Sequence, residues 1–155
     1  MELDKYFPIN DIPFRIILAD DDEDDHFFFE DVLAKFKFEK QIDVFEDGEK
    51  LLTYLLQQKE KLPDVLFLDY NIPRKNGLEC LLEIKKHTIL KDLPVIIYST
   101  YLHDEVADTL YNQGAHFFVC KTDNKSLEKI LHKVFTLLIT EKAARPDREA
   151  FIILP

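Results

Sequence analysis

Five short apolar runs, each followed by a stretch with helical spacing, place the strongest limit on how this chain can fold. The runs are Arg15–Ala19, Ile42–Glu46, Val65–Asp69, Pro94–Ser99 and Phe117–Cys120. Apolar side chains recur every three or four residues after each run, most clearly in Asp25–Phe36, Gly77–Lys86 and His103–Gln113. Apolar strands joined by amphipathic helices indicate a parallel sheet that is covered on both faces. The predicted fold class is therefore α/β, a doubly wound, five-stranded (βα)5 arrangement.

The length and charge of the chain fit one domain with short extensions. Its 155 residues can form a single core, and we expect a domain at 14–138 with extensions at 1–13 and 139–155. No apolar run approaches the roughly 20 residues of a membrane span, and the N-terminus lacks the features of a secretory signal, so the expected location is the cytoplasm. The net charge of −10 argues against nucleic-acid binding, which depends on clustered Lys and Arg.

The C-terminal extension starts polar and ends in the apolar tail Phe151–Pro155. Such a tail can pack on its own domain or pair with a second chain, and of the two we favour pairing in a dimer. The extension is too short for a DNA-binding or enzymatic output domain. We therefore expect the output to come from binding a partner protein.

Polar side chains with complementary chemistry stand at the ends of the predicted strands. Asp20 and Asp21 close the first strand, Asp69 the third and Ser99 the fourth, and Lys121 follows the fifth. Because the functional crevice of such a sheet lies at the carboxyl ends of its strands, we expect these side chains to converge. Clustered carboxylates raise one another's pKa unless a cation neutralises them. A hard divalent ion with oxygen ligands, and Mg²⁺ in particular, suits this set.

Asp69 has the chemistry of a phosphoryl acceptor in this arrangement. Carboxylates form acyl phosphates, and a metal ion together with Lys121 would offset the charge that develops during transfer. The hydroxyl of Ser99 would hydrogen-bond the attached group and draw its loop inwards. The residues therefore predict a switch that works by added charge and acceptor oxygens.

Four segments resemble the receiver domain of two-component response regulators of the chemotaxis-regulator type. They are Ile17–Asp21 (ILADD), Val65–Gly77 (VLFLDYNIPRKNG), Pro94–Thr100 (PVIIYST) and Gly114–Lys121 (GAHFFVCK). The segments occur in the order and at the spacing of the family, and the resemblance covers nearly the whole chain. It implies a flavodoxin-like sheet with strand order 2-1-3-4-5.

The resemblance also implies the roles of the residues at the metal site. Asp69 resembles the phosphoacceptor, and Asp20 and Asp21 resemble the acidic pair of the family. Asp21 would contact Mg²⁺ directly and Asp20 through a water molecule. Asn71 would supply its main-chain carbonyl oxygen to the ion.

The residues implied for the switch come from the last two strands. Ser99 matches the switch hydroxyl, Lys121 matches the lysine of the family, and Phe118 falls at its aromatic switch position. One departure concerns Thr122, which stands where the family has a proline in a cis peptide. Because a cis bond without proline costs roughly 3–4 kcal/mol, we expect the loop after Lys121 to take another course.

The implied partners are those of a phosphorelay protein. A sensor histidine kinase or a His phosphotransfer protein would donate the phosphoryl group, and a downstream protein would read the result. The sequence Cys120-Lys121-Thr122, together with the apolar tail, is similar to stand-alone regulators that partner bacterial phytochrome-type kinases. A homodimer could use the face formed by the fourth helix, fifth strand and fifth helix, or the tail.

Two alternatives remain open from the sequence. A haloacid-dehalogenase-like phosphatase also uses Mg²⁺ and an Asp nucleophile at a strand end, but it needs a second Asp two residues later, where this chain has Asn71. A pseudo-receiver that only binds proteins would have lost a carboxylate, the hydroxyl or the lysine. This chain retains all of them, so we expect a signalling switch and not an enzyme that acts on other substrates.

The helix after the first strand carries three consecutive phenylalanines. Helical spacing assigns Phe28, Phe29, Val32 and Leu33 to the core and leaves Phe27 on the exposed flank. An exposed aromatic side chain beside a reactive group is a candidate docking residue for the phosphodonor.

Overall fold

Strands and helices alternate through five units, after which the chain adds a short sixth strand. The computed structural model describes residues 3–5, 7, 12–58, 61–141 and 144–155, so parts of both predicted extensions lie outside the described residues. The elements are β1 (Phe14–Ala19), α1 (Glu23–Leu33), β2 (Lys40–Phe45), α2 (Gly48–Gln57), β3 (Val65–Leu68), α3 (Gly77–Lys86), β4 (Val95–Ser99), α4 (Asp104–Asn112), β5 (Phe117–Cys120), α5 (Asn124–Thr140) and β6 (Ile152–Ile153).

The strands form one parallel sheet in the order β2-β1-β3-β4-β5-β6. The predicted α/β class and the order 2-1-3-4-5 are confirmed. The predicted number of five strands is wrong by one, because β6 extends the sheet beyond β5. The order reverses between β1 and β3, and this reversal opens the crevice at the carboxyl ends of the strands.

Side chains that alternate along each strand build a separate core on each face of the sheet. Ile16 and Leu18 of β1 point to the layer formed by α1 and α5. Ile17 and Ala19 point to the opposite layer, which α2, α3 and α4 form. All four side chains are at most 1% exposed, as expected for strands that are covered on both faces.

The first helix corrects one prediction about the core. Phe29, Val32 and Leu33 are buried, whereas Phe28 is 47% exposed and Phe27 is 68% exposed. Because neighbouring residues on a helix differ by about 100° in direction, the stripe that contains Phe29, Val32 and Leu33 turns Phe28 out of the core. The two exposed rings contact each other edge to face, with centroids 6.3 Å apart.

The C-terminal tail packs on its own domain, which is the arrangement that we did not favour, and pairing of the tail with a second chain stays a prediction. Strand β6 pairs with β5, and the amide of Phe118 donates to the carbonyl oxygen of Phe151 at 2.9 Å. The Phe151 side chain is fully buried, and its ring lies 5.3 Å from the ring of Tyr111 on α4. An ion pair between Arg148 and Asp108, with N and O 2.6 Å apart, fixes the tail to α4 a second time.

Part of the N-terminal extension also joins the core. Leu3 and Phe7 are buried, and the ring of Phe7 stacks on Phe38 with centroids 3.8 Å apart. Phe38 in turn packs against Phe135 of α5. In the described part of the chain, every helix is too short or too polar to span a membrane.

Candidate functional site

Asp69 sits directly after β3, where a close contact with α3 fixes the chain. A Cβ atom on Gly77 would lie 2.7 Å from the carbonyl oxygen of Asp69, so only glycine fits at this position without a shift of the backbone. The amide of Gly77 donates to the carbonyl oxygen of Tyr70 at 2.9 Å. Asn76 caps α3 with a capping box that also involves Glu79. The start of α3 therefore determines where the Asp69 side chain is presented.

The Asp69 carboxylate is held by three donors. Its Oδ1 atom accepts hydrogen bonds from the hydroxyl of Ser99 at 3.0 Å and from the amide of Asn71 at 3.1 Å. Its Oδ2 atom lies 3.1 Å from the Nζ atom of Lys121. Asp69 is 5% exposed and Ser99 is fully buried. The structure thus brings the predicted acceptor, hydroxyl and lysine together at the end of the sheet.

Asp20 contributes a buried carboxylate, and one of its two oxygens lacks a hydrogen-bond donor among the described residues. Its Oδ1 atom accepts from the amide of Asp22 at 3.0 Å. Its Oδ2 atom lies 2.7 Å from Lys121 Nζ but has no hydrogen-bond partner of acceptable geometry among the described residues. Burial raises the pKa of Asp20 above its ordinary value, and the contact with Lys121 opposes that rise only in part. A buried carboxylate oxygen without a hydrogen-bond donor is a suitable ligand for a cation.

The geometry of three carboxylates fits a divalent metal ion. One oxygen each from Asp20, Asp21 and Asp69 lies within 4.8 Å of the others. Asp21 is exposed and offers its carboxylate from the solvent side. The unsatisfied Oδ2 atom of Asp20 points to the same conclusion, since a cation would complete its coordination. Oxygen donors with open access from solvent suit Mg²⁺ or an ion of similar preference.

Lys121 is the charge that connects the carboxylates. Its Nζ atom lies 2.7 Å from Asp20, 3.1 Å from Asp69 and 2.7 Å from Asp25. Burial alone would lower the pKa of Lys121, but its contacts with these carboxylates raise that pKa above the ordinary value. The ammonium also lies 5.4 Å from the centre of the Tyr98 ring. Lys121 is therefore fixed and fully charged at neutral pH.

Asp25 also belongs to this cluster, although it lies in the acidic first turn of α1 and not at the end of a strand. Asp22, by contrast, is exposed and caps α1 by accepting from the amides of Asp24 and Asp25. Asp25 instead turns inwards and contacts Lys121. A signal for this exists in the sequence, because Asp25 precedes the buried Phe29 by four residues and shares its side of the helix.

The remaining predicted residues lie around this centre. The side chain of Asn71 is exposed, next to Asp69. Phe118 is 4% exposed and packs in the same core as Phe151 of the tail. The described residues contain no cis peptide bond, so the chain passes from Lys121 to Thr122 through a trans peptide. Asp123 then caps α5 by accepting from the amide of Ser126 at 2.9 Å.

Comparison with known proteins agrees with this geometry. The family model of the response regulator receiver domain matches residues 16–135. Response regulator Rcp1 of Synechocystis sp. is 28% identical over 127 residues, which cover 79% of this chain and 86% of Rcp1.

Two solved structures show the same architecture. The phosphorylated cyanobacterial phytochrome response regulator RcpA has a TM-score of 0.74 and 26% identity, over 88% of this chain and 100% of RcpA. The Mn²⁺-bound form of Rcp1 has a TM-score of 0.70 and 25% identity, over 86% of this chain and 99% of that one. With the family model matching most of its length, and with an acidic centre that fits a divalent ion, this chain belongs to the response regulator receiver domain family.

Proposed function

We propose that this protein is the phosphoacceptor of a two-component phosphorelay and that Asp69 carries the phosphoryl group. The observation that carries the proposal is the convergence of Ser99, Lys121 and the Asp20 carboxylate on Asp69. In this role a carboxylate oxygen of Asp69 attacks the phosphorus atom of a phosphohistidine. The O–P bond forms as the P–N bond breaks, and the imidazole of the donor leaves.

The residues around Asp69 have different roles in this transfer. Asp20, Asp21, Asp69 and the main-chain carbonyl of Asn71 would hold Mg²⁺, which supplies a positive charge beside the oxygens of the transferring group. Lys121 donates to these oxygens from the other side. The hydroxyl of Ser99 already lies 3.0 Å from Asp69 Oδ1 and would follow the phosphoryl group once it is attached.

The output of the switch would be a change of shape and not a second chemical reaction. Movement of Ser99 towards the phosphoryl group shifts the loop between β4 and α4, and Phe118 on the neighbouring β5 responds to the space that this movement leaves. A phosphoryl group adds about −1.5 to −2 charge at neutral pH, but it shifts the equilibrium only through contacts that differ between the two states. Ser99 and Lys121 supply those contacts.

The donor that we propose is a sensor histidine kinase of the phytochrome type or a His phosphotransfer protein. The support comes from the phytochrome response regulators among the similar structures and from the matching segments of this chain. The unit that acts would be residues 14–138 with its packed extensions, in the cytoplasm where such kinases present their phosphohistidine. A downstream protein would bind the phosphorylated form.

The proposal is tested by replacing Asp69 with asparagine, which keeps the shape of the side chain and removes the nucleophile. With Mg²⁺ and a small phosphodonor such as phosphoramidate, the wild-type protein should gain one acyl phosphate, and Asp69→Asn should gain none. Intact-protein mass spectrometry under mild conditions measures the gain. Asp92→Asn, at an exposed position before β4, serves as the matched control and should be labelled like wild type.

The outcome also separates the alternatives. A pseudo-receiver would not be labelled in the wild-type form, and labelling of Asp69→Asn would place the acceptor elsewhere. A haloacid-dehalogenase-like phosphatase would hydrolyse a chromogenic phosphomonoester with turnover. The matched family disfavours both alternatives.

A further inference from the structure

The ammonium group of Lys121 is shared by three carboxylates that come from three different elements. Asp20 directly follows β1, Asp69 directly follows β3, and Asp25 lies in the first turn of α1. The side chain of Lys121 is 13% exposed, so few water molecules can replace these contacts. An ammonium group has three N–H donors. Lys121 donates hydrogen bonds to Asp25 and Asp69, and Asp20 lies within ion-pair distance.

Asp25 differs from the other two carboxylates in one respect. Asp20 and Asp69 belong to the group of three acids whose oxygens lie close enough to share a metal ion, and Asp25 does not belong to it. Asp69 also loses the charge on its carboxylate when it becomes an acyl phosphate. Among the three carboxylates, Asp25 is therefore the one that neither belongs to the metal-binding group nor reacts with the phosphoryl group.

We propose that Asp25 is a positioning residue that keeps the Lys121 ammonium directed at the phosphoryl group when Asp20 and Asp69 are engaged. The inference rests on the proposed function and adds a residue to its machinery. The contact between Asp25 Oδ2 and Lys121 Nζ is 2.7 Å long, as short as the contact with Asp20 and shorter than that with Asp69. The Tyr98 ring, 5.4 Å from the same nitrogen, forms a further wall of the ammonium site.

The physical reason for such an anchor is the flexibility of lysine. Its ammonium is a compact charge on a stem with four carbons, so it needs a fixed partner to stay in one position. Without Asp25, the ammonium would distribute itself between solvent and the two carboxylates that the reaction requires. With Asp25 present, the Lys121 side chain is already ordered before the phosphoryl group binds. Without Asp25, the side chain would lose its conformational entropy during binding, which weakens the binding.

The chain offers a matched control for this residue. Asp24 is the neighbouring acid on α1, it is exposed, and its side chain forms no ion pair within the described ranges. Asp25→Asn and Asp24→Asn remove the same charge at adjacent positions. A purely long-range effect of charge on the site would therefore affect both variants to a similar extent.

The experiment measures the affinity for beryllofluoride, a mimic of the phosphoryl group, at saturating Mg²⁺. Asp25→Asn should weaken this affinity about tenfold, the size expected for one hydrogen bond between charged groups, and Asp24→Asn should change it less than twofold. Asp25→Glu keeps the charge and should recover part of the affinity. Thermal unfolding of each variant verifies that it is folded.

A double-mutant cycle tests whether Asp25 acts through Lys121. In a Lys121→Ala background, Asp25→Asn should have no further effect on beryllofluoride affinity. In the metal-free protein, the NMR signal of the Lys121 ammonium protons should be visible in wild type and Asp24→Asn and lost in Asp25→Asn.

Three results would overturn the inference: equal losses in Asp25→Asn and Asp24→Asn, full additivity with Lys121→Ala, or wild-type affinity in Asp25→Asn. The Asp69→Asn experiment stays separate, since a failure of the proposed function would appear as an unlabelled wild-type protein.

Discussion

The Asp20 carboxylate is a buried charge that lowers the stability of the fold. It is fully buried, and one of its oxygens accepts no hydrogen bond among the described residues. Burial of an incompletely paired charge lowers the free energy of unfolding, and the raised pKa of Asp20 reports the same penalty. A site that binds a cation needs this charge, so stability and function make opposite demands on Asp20.

We expect Asp20→Asn to be more stable than wild type when divalent ions are removed with a chelator. The gain in the free energy of unfolding should be about 1 kcal/mol, since the substitution removes a buried charge and keeps the shape of the side chain. Adding Mg²⁺ should stabilise wild type by ligand linkage and leave the variant nearly unchanged. Urea unfolding with and without Mg²⁺ measures both effects.

The pH dependence of this difference follows from the direction of the pKa shift. A carboxyl group with a raised pKa in the folded state binds more protons there, so its penalty grows as the pH rises above its ordinary pKa. The advantage of Asp20→Asn should therefore vanish in acid, where both states are protonated. Asp31→Asn, at an exposed position on α1, is the control. A variant less stable than wild type in chelator would contradict the penalty.

The exposed pair Phe27 and Phe28 predicts a docking contact for the phosphodonor. Both rings lie on α1, the helix that also carries Asp25, and large exposed aromatic residues near the centre of an interface are typical hot spots. Alanine at either position should slow transfer from the cognate kinase about tenfold. Labelling by a small phosphodonor should stay at the wild-type rate, because it needs no docking surface.

Comparison of the two donors provides the decisive measurement for this pair. A variant that transfers phosphate from the kinase at the wild-type rate would remove that residue from the docking surface. A variant that also loses labelling by the small donor would place the defect in the site itself.

At the scale of elements, β6 is the shortest strand and closes one edge of the sheet. It forms backbone hydrogen bonds to β5 and covers it with Phe151, while Arg148 pairs with Asp108 on α4. The hydroxyl of Tyr111 donates to the carbonyl oxygen of Pro146 at 2.8 Å. The tail therefore occupies part of the face formed by α4, β5 and α5, which we had considered for a homodimer. A partner that uses the β5 edge must first displace it.

We expect Phe151→Ala to lower the free energy of unfolding by about 3–5 kcal/mol, the usual cost of truncating a buried phenylalanine. The control is Leu154→Ala, because Leu154 is 66% exposed and its truncation should cost less than about 0.5 kcal/mol. Urea unfolding followed by circular dichroism measures both values. Equal stability of the two variants would show that the tail does not pack on the domain in solution.

At the scale of the whole molecule, the pattern of the sequence predicted the sheet and the convergence at its end. The apolar runs have the length of buried strands, and the rule for the carboxyl ends of parallel strands brings Asp20, Asp69, Ser99 and Lys121 together. These features depend on periodicity and chain order, which can be read directly from the residues.

The features that the sequence did not reveal are the directions of single side chains and the short strand β6. Phe28 was misplaced and Asp25 was missed because a shift of one position around α1 exchanges the exposed and buried sides. Strand β6 has two residues, too few for a periodic signal, and its pairing with β5 depends on tertiary contacts such as Phe151 with Tyr111. The unsatisfied oxygen of Asp20 is a property of three-dimensional packing alone.

The position of Tyr98 has a consequence for spectroscopy. The chain has six tyrosines and no tryptophan, so phenol rings dominate its near-ultraviolet absorption and its intrinsic fluorescence. Tyr98 is 2% exposed, and its ring lies 5.4 Å from the Lys121 ammonium. A change of charge at the site alters the electric field across this chromophore. The unlabelled protein therefore contains its own optical reporter, and a Tyr98→Phe difference spectrum would isolate the signal of this ring from those of the other tyrosines.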